Sequence, residues 1–94
     1  MLNQVILVGR VEREIELETL DDGSVSAKMT IVIESIGEQV DTIECILLSG
    51  VAESAAKYCS IGTVVGIKAR VKSIGDHLEI HADKITFINT KEVK

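Results

Sequence analysis

Apolar residues recur at every second position through most of this chain, the spacing of strands that have one covered face. Val25, Ala27, Met29, Ile31 and Ile33 keep that spacing without a break, and Ile43, Cys45 and Leu47 keep it again further on. Val65, Ile67, Ala69 and Val71 make another such run, followed by Leu78, Ile80 and Ala82. Near the start, Val5-Ile6-Leu7-Val8 is continuously apolar before Val11, Ile15 and Leu17 take up the alternation. We read Asn3–Thr19 as one long strand, covered at first and half exposed later, with Gly9 permitting a bend. Asp21-Asp22-Gly23, Gly37-Glu38-Gln39 and Gly75-Asp76 supply the turns. In the last strand the phase slips at Asp83-Lys84 before Ile85 and Phe87, which predicts a bulge there.

Val51 to Cys59 breaks the alternation with Ala52, Glu53, Ala55, Ala56 and Lys57, all good helix formers. Ser49 or Gly50 is placed to cap the start, and Gly62 to serve as a left-handed stop. The order is therefore three strands, one short helix, then two strands. That is the order of a five-stranded OB-fold, a Greek-key barrel of the all-β class with its helix between strands three and four. Alternation alone would suit a small sandwich as well; the position of the helix is what favours the barrel. One domain is expected over residues 1–90, with residues 91–94 frayed.

Composition narrows the function. The chain has 94 residues, so its core is small and pairing with other copies would enlarge it. It has no Trp or Pro, and Tyr58 and Phe87 are its only aromatics. A formal charge of −5 argues against a dense basic surface, though local positive patches remain compatible with it. Cys45 and Cys59 lack metal-ligand spacing, and no apolar run approaches the length of a membrane span. With no signal peptide pattern, the chain reads as cytoplasmic with reduced thiols. His77 and His81 would sit ~13 Å apart on a strand, too far for one zinc ion, so they read as solvent-facing or interface residues. No nucleophile elbow, phosphate-binding glycine loop or paired-acid motif is present, which speaks against an enzyme, a cofactor and a small-molecule substrate.

Three segments resemble the bacterial single-stranded DNA-binding protein family. They are Leu2-Asn3-Gln4-Val5-Ile6-Leu7-Val8-Gly9-Arg10; Val51-Ala52-Glu53 through Lys57-Tyr58 with Gly62-Thr63-Val64-Val65-Gly66-Ile67; and Glu79-Ile80-His81-Ala82-Asp83-Lys84-Ile85-Thr86-Phe87-Ile88. The resemblance implies an OB barrel that binds single-stranded DNA in replication, recombination or repair, in a bacterial, nucleoid-associated setting. It also implies replication or repair proteins as partners, and a homodimer or homotetramer. The family stacks bases on aromatic side chains, at ~1–3 kcal/mol per base. Here Thr42 and Leu48 stand at two of those positions, residues near Ile36 and Asp76 at two others, and Glu18, Gly50 and Ile61 where Arg or Lys is common. The stacking platform is missing. The sequence ends in Lys91-Glu92-Val93-Lys94, unlike the acidic tip of the family's replicative members, which suits either an accessory member or a shortened chain.

Binding without stacking would be electrostatic, weak and independent of sequence. Its candidate residues are Arg10, Lys28, Thr42, Leu48, Lys68, Arg70 and Lys72. Lys68, Arg70 and Lys72 alternate and so share one face, which suits a stripe that tracks phosphates. They could equally pair across the ladder with Glu12, Glu14, Glu16 and Glu18, which would share a face of a single long first strand. Leu2, Gln4, Ile6 and Val8 are the expected oligomer contact, because outward aliphatic residues on a small barrel call for cover; Ile46 and Leu48 are outward in the same sense. Tyr58 and Phe87 are expected in the core. A protein-interaction or oligomerisation module with little DNA affinity is the competing function.

Overall fold

β-branched side chains crowd a helix but pack well on a pleated surface, and this chain places them where six strands form. The computed structural model describes residues 1–89. The strands are β1 (Val5–Val11), β2 (Leu17–Thr19), β3 (Val25–Glu34), β4 (Val40–Leu48), β5 (Val64–Ile74) and β6 (His77–Asn89). The helix α1 (Ser49–Tyr58) lies between β4 and β5. They form one sheet in the order β1-β5-β6-β4-β3-β2, closed into a barrel where β1 also pairs with β3. All pairings are antiparallel except β4 with β6. The segment expected to fray, residues 91–94, lies outside the described residues, as does the last residue of the expected domain.

The long first strand of the sequence reading is instead two strands. Val5–Arg10 pairs with β5, then Arg10 and Val11 turn onto β3 at Val32 and Ile31. The ladder resumes at Leu17↔Ala27. Between those rungs five residues, 12–16, oppose three, 28–30, so two surplus residues must leave the ladder. Gly9 stands where β1 crosses over. A Cβ there would lie 2.8 Å from the Val32 carbonyl oxygen, so the residue is glycine for close approach as much as for bending. The end of β1 is tied down by Val11 N–H donating to Thr63 O at 2.8 Å and Gly62 N–H to Val11 O at 2.9 Å.

The predicted alternation fills the barrel. Met29, Ile31, Cys45, Leu47, Val65, Ile67 and Ala69 point inward and are buried, with Val11 beside them. Ala52 and Ala55 press α1 against one end; their small side chains let the helix sit close. The bulge expected at Asp83-Lys84 is present, because the register passes from Lys68↔Lys84 to Ala69↔Ala82 and leaves Asp83 unopposed. Gly75-Asp76 joins Ile74 to its partner His77, with Gly75 at φ +60°. The helix ends differ from expectation. Neither Ser49 nor Gly50 caps by side chain, because β4 runs into α1 without a loop and Leu48 occupies the cap position. Cys59 closes the helix in extended conformation, its N–H donating to Ala55 O, and left-handed Gly62 sits beyond in the next turn.

Candidate nucleic-acid interface

Two outward surfaces carry most of the charged residues, one with an excess of carboxylates and one in which the signs are mixed. The first is a cleft of about 840 Å³ where residues 13–18 fold over the outer face of β3 and β4. Lys28, Thr30 and Thr42 line it with Ile46, Leu17 and Arg13, together with Glu14, Glu16, Glu18 and Glu44. Four carboxylates against two cations make this cleft acidic. Two of the predicted binding residues, Lys28 and Thr42, are therefore in surroundings that repel phosphate. Leu48 is opposite Ser26 at the end of β4, partly exposed and next to the helix.

Acidic and basic rows pairing across the first and fourth predicted strands is an expectation the register overturns. Glu12 donates its N–H to Thr30 O of β3, Glu14 and Glu16 lie between β1 and β2, and Glu18 pairs with Ser26, while Lys68 lies opposite Ile6. Pairing with β5 ends at Arg10↔Val64, before the first of the glutamates.

The second surface belongs to β5 and β6. Lys68, Arg70 and Lys72 point outward between the buried Val65, Ile67 and Ala69, as alternation requires. Lys68 faces Lys84 directly across the ladder, and among the described residues neither makes an ion pair. Like charges opposed in this way disfavour the sheet unless an anion joins them. Arg70 lies opposite His81, with its Nε 3.7 Å from Asp83 Oδ1, and Lys72 lies opposite Glu79. Lys84 and His81 are residues the sequence reading missed; the slipped phase at Asp83-Lys84 was the signal that would have turned Lys84 onto the face of Lys68.

Arg10 stands apart from this surface. It pairs across β1 and β3 with Glu34, and both partners are exposed, so the pair adds only ~0.2–1 kcal/mol and blunts one cation. Lys28 connects more usefully. It lies opposite Ile46, which lies beside His81, which lies opposite Arg70, a row across four strands spanning about 14 Å.

On β6, His81 Nε2 is 2.9 Å from Glu79 Oε1 and His77 Nε2 is 3.5 Å from Glu79 Oε2. These contacts, with His81 foremost, hold the Glu79 carboxyl below its usual range. Most of the His81 side chain is covered, with 13% exposed. Among the described residues no group of three or more His, Cys, Asp or Glu is arranged to hold a metal ion. Burial pushes the thiols of Cys45 and Cys59 up to about 11, so neither is an available nucleophile at neutral pH.

Tyr58 departs from its expected core position. It is 55% exposed, tilted against Phe87 at 5.8 Å between ring centroids, with Lys57 Nζ 5.3 Å from its ring. Phe87 packs on the core as expected. Of the residues expected at an oligomer contact, Ile6 and Val8 are 61% and 52% exposed on the outer face of β1. Leu2 and Gln4 precede the strand and are exposed. Beside them the Asn3 amide donates to Val71 O at 2.8 Å and accepts from Val71 N–H at 2.9 Å, so a side chain stands in for the main-chain rung. Ile46 and Leu48 lie on the cleft side instead. Among the described residues no helix is long and apolar enough to cross a membrane.

Comparison with known proteins bears on these surfaces. The model of the single-strand binding protein family matches residues 2–88. Single-stranded DNA-binding protein B of Bacillus subtilis is 29% identical, the match covering 97% of this chain and 94% of that protein. Single-stranded DNA-binding protein 1 of Staphylococcus aureus is 33% identical, covering 97% of this chain and 68% of that one. Among solved structures, a mitochondrial single-stranded DNA-binding protein of S. cerevisiae superposes with a TM-score of 0.83 at 16% identity, covering 96% of this chain and 97% of that one. The single-stranded DNA-binding domain of a Synechococcus protein gives 0.79 at 16% identity over 90% and 94% of the two chains. At that identity the structural likeness speaks for the barrel alone.

Proposed function

The chain belongs to the single-strand binding protein family, and from that premise we propose that it binds single-stranded DNA through the outward face of β5 and β6, without reading sequence. Lys68, Arg70 and Lys72, joined by Lys84, track the phosphates. The observation that carries this reading is the unpaired Lys68↔Lys84 rung, which gains most when an anion lies between its ammonium groups. Arg10, Lys28, Thr42 and Leu48 contribute less, because Glu34 and the acidic cleft surround them. With no aromatic platform, phosphate contacts supply nearly all the affinity, so binding is weak and steeply salt-dependent. The role is one of binding in DNA replication, recombination or repair, with no catalytic step.

The protein acts as a homodimer or homotetramer. Outward Ile6 and Val8, with exposed Leu2 before them and the Asn3 amide bonded to the Val71 main chain, favour a second copy against β1. Sedimentation showing a monomer at micromolar concentration overturns this part.

Fluorescence anisotropy with a labelled oligo-dT, at two salt concentrations, tests the DNA reading. Lys68→Ala should weaken binding for every sequence and lower the slope of log affinity against log salt by about 0.7. Absence of binding at low salt and high protein concentration leaves the second reading, a protein-interaction module, which the acidic cleft favours as a seat for a cationic partner segment.

A further inference from the structure

We propose that His81, held by Glu79, is a phosphate contact that a proton switches on, so that DNA binding by the β5–β6 face is stronger in acid. The proposal rests on the DNA reading above and adds a residue and a condition to it.

The chemistry follows from which nitrogen carries hydrogen. An ionised carboxylate only accepts, so the 2.9 Å contact to Glu79 Oε1 fixes hydrogen on His81 Nε2. In the neutral ring Nδ1 is then a lone pair, which repels a phosphate oxygen. Nδ1 has no partner in the fold, and no buried side-chain nitrogen or oxygen among the described residues is left unpaired, so Nδ1 reaches solvent. Protonation turns it into a charged donor without disturbing the Glu79 bond. The donor then stands beside Arg70, in the row that runs to Lys28.

The surrounding charges make that proton count. From β5, Lys68, Arg70 and Lys72 share the face of His81; from β6 come His77, Glu79, Asp83 and Lys84; the turn adds Asp76. From β4, Ile46 lies beside His81, with Glu44 two residues along the same face. The helix meets β6 at Phe87, away from this cluster. With both imidazoles neutral, four cations balance four carboxylates. Protonating His77 and His81 takes the face to a charge of +2. His77 adds charge beside two carboxylates, with Asp76 Oδ1 3.7 Å from its Nδ1 and Glu79 Oε2 3.5 Å from its Nε2.

Anisotropy of labelled oligo-dT with the whole chain, at about pH 6 and about pH 8 over a tenfold salt range, tests this. Tighter binding is expected at the lower pH, with a salt slope steeper by about 0.7 for the added phosphate contact. The low-pH advantage then shrinks about fivefold as salt rises tenfold. His81→Gln should remove the slope difference while leaving binding at the higher pH. Glu79→Gln, which keeps the strand but frees the tautomer, should bring binding at the higher pH toward the low-pH value. Binding with equal slopes at both pH values, or a slope difference that survives His81→Gln, overturns the proposal and leaves the DNA reading standing. No binding at either pH overturns both.

Discussion

Lys84→Gln removes one of two ammonium groups that face each other across the β5–β6 ladder beside the Asp83 bulge. Opposed like charges disfavour a sheet by roughly 0.2–1 kcal/mol, and neither lysine has an ion-pair partner to offset this. Glutamine keeps much of the apolar stem, so the free protein should gain about that amount. In a domain of this size 1 kcal/mol moves the midpoint of thermal unfolding by about 4–8 °C, which puts the rise at about 1–8 °C. The gain should vanish in about 1 M salt, where the screening length is ~3 Å. The same change deletes a phosphate contact, so the salt slope of DNA binding should fall by about 0.7. Stability and affinity thus move in opposite directions. Thermal melts at low and high salt, with anisotropy on the same samples, read both. A midpoint that falls at low salt, or an unchanged salt slope, refutes the reasoning that these ammonium groups repel each other and share an anion.

Three further outcomes follow from the geometry. Gly9→Ala places a Cβ 2.8 Å from the Val32 carbonyl oxygen, so overpacking should cost about 1–3 kcal/mol in denaturant unfolding. With their thiol pKa values raised to about 11, Cys45 and Cys59 should react with a disulfide reagent at neutral pH far more slowly than a free thiol, and at full rate once the chain is unfolded. Ser24 donates to Asp22 from its hydroxyl and its N–H and so lowers the Asp22 pKa. The depressed folded value means this turn is stabilised above the ordinary value of 3.8, and the contribution is lost as pH falls through the folded one. Proton titration of the carboxyl by NMR should show that value below 3.8, and Ser24→Ala should raise it.

Much of the barrel was legible because period-two alternation survives wherever one face is covered. Val25 to Ile33, Ile43 to Leu47 and Val65 to Val71 turned inward as their spacing demanded, and the slipped phase at Asp83 marked a true bulge. The first strand was misjudged because alternation does not report register. Val11, Ile15 and Leu17 keep an apolar rhythm, yet only the count of residues on β3 decides that residues 12–16 leave the ladder. Tyr58 was misjudged because a helix at the end of a barrel covers its ring on one side only, against Phe87. Lys68, Arg70 and Lys72 could be placed on one face from sequence. His81 and Glu79 come opposite Arg70 and Lys72 in the plain register of the Gly75-Asp76 turn, whereas Lys84 comes opposite Lys68 only because the bulge shifts the pairing by one.

That register also explains how a chain of net charge −5 can present a polyanion with a usable face. In the β1–β5 register, with Arg10 opposite Val64, residues 12–18 run past the start of β5 and do not meet its lysines, of which Lys68 lies opposite Ile6. The two surplus residues opposite β3 instead carry Glu14, Glu16 and Glu18 into the cleft, where they meet Lys28 and Glu44. The two surfaces meet where Ile46, which lines the cleft, lies beside His81, so the lysines farthest from that seam are the ones least affected by the cleft carboxylates. On the proposed reading, DNA avoids the cleft, where four carboxylates outnumber two cations, and lies along the rung where Lys68 faces Lys84. What a polyanion meets is set by which residues share a face more than by the sign of the whole molecule.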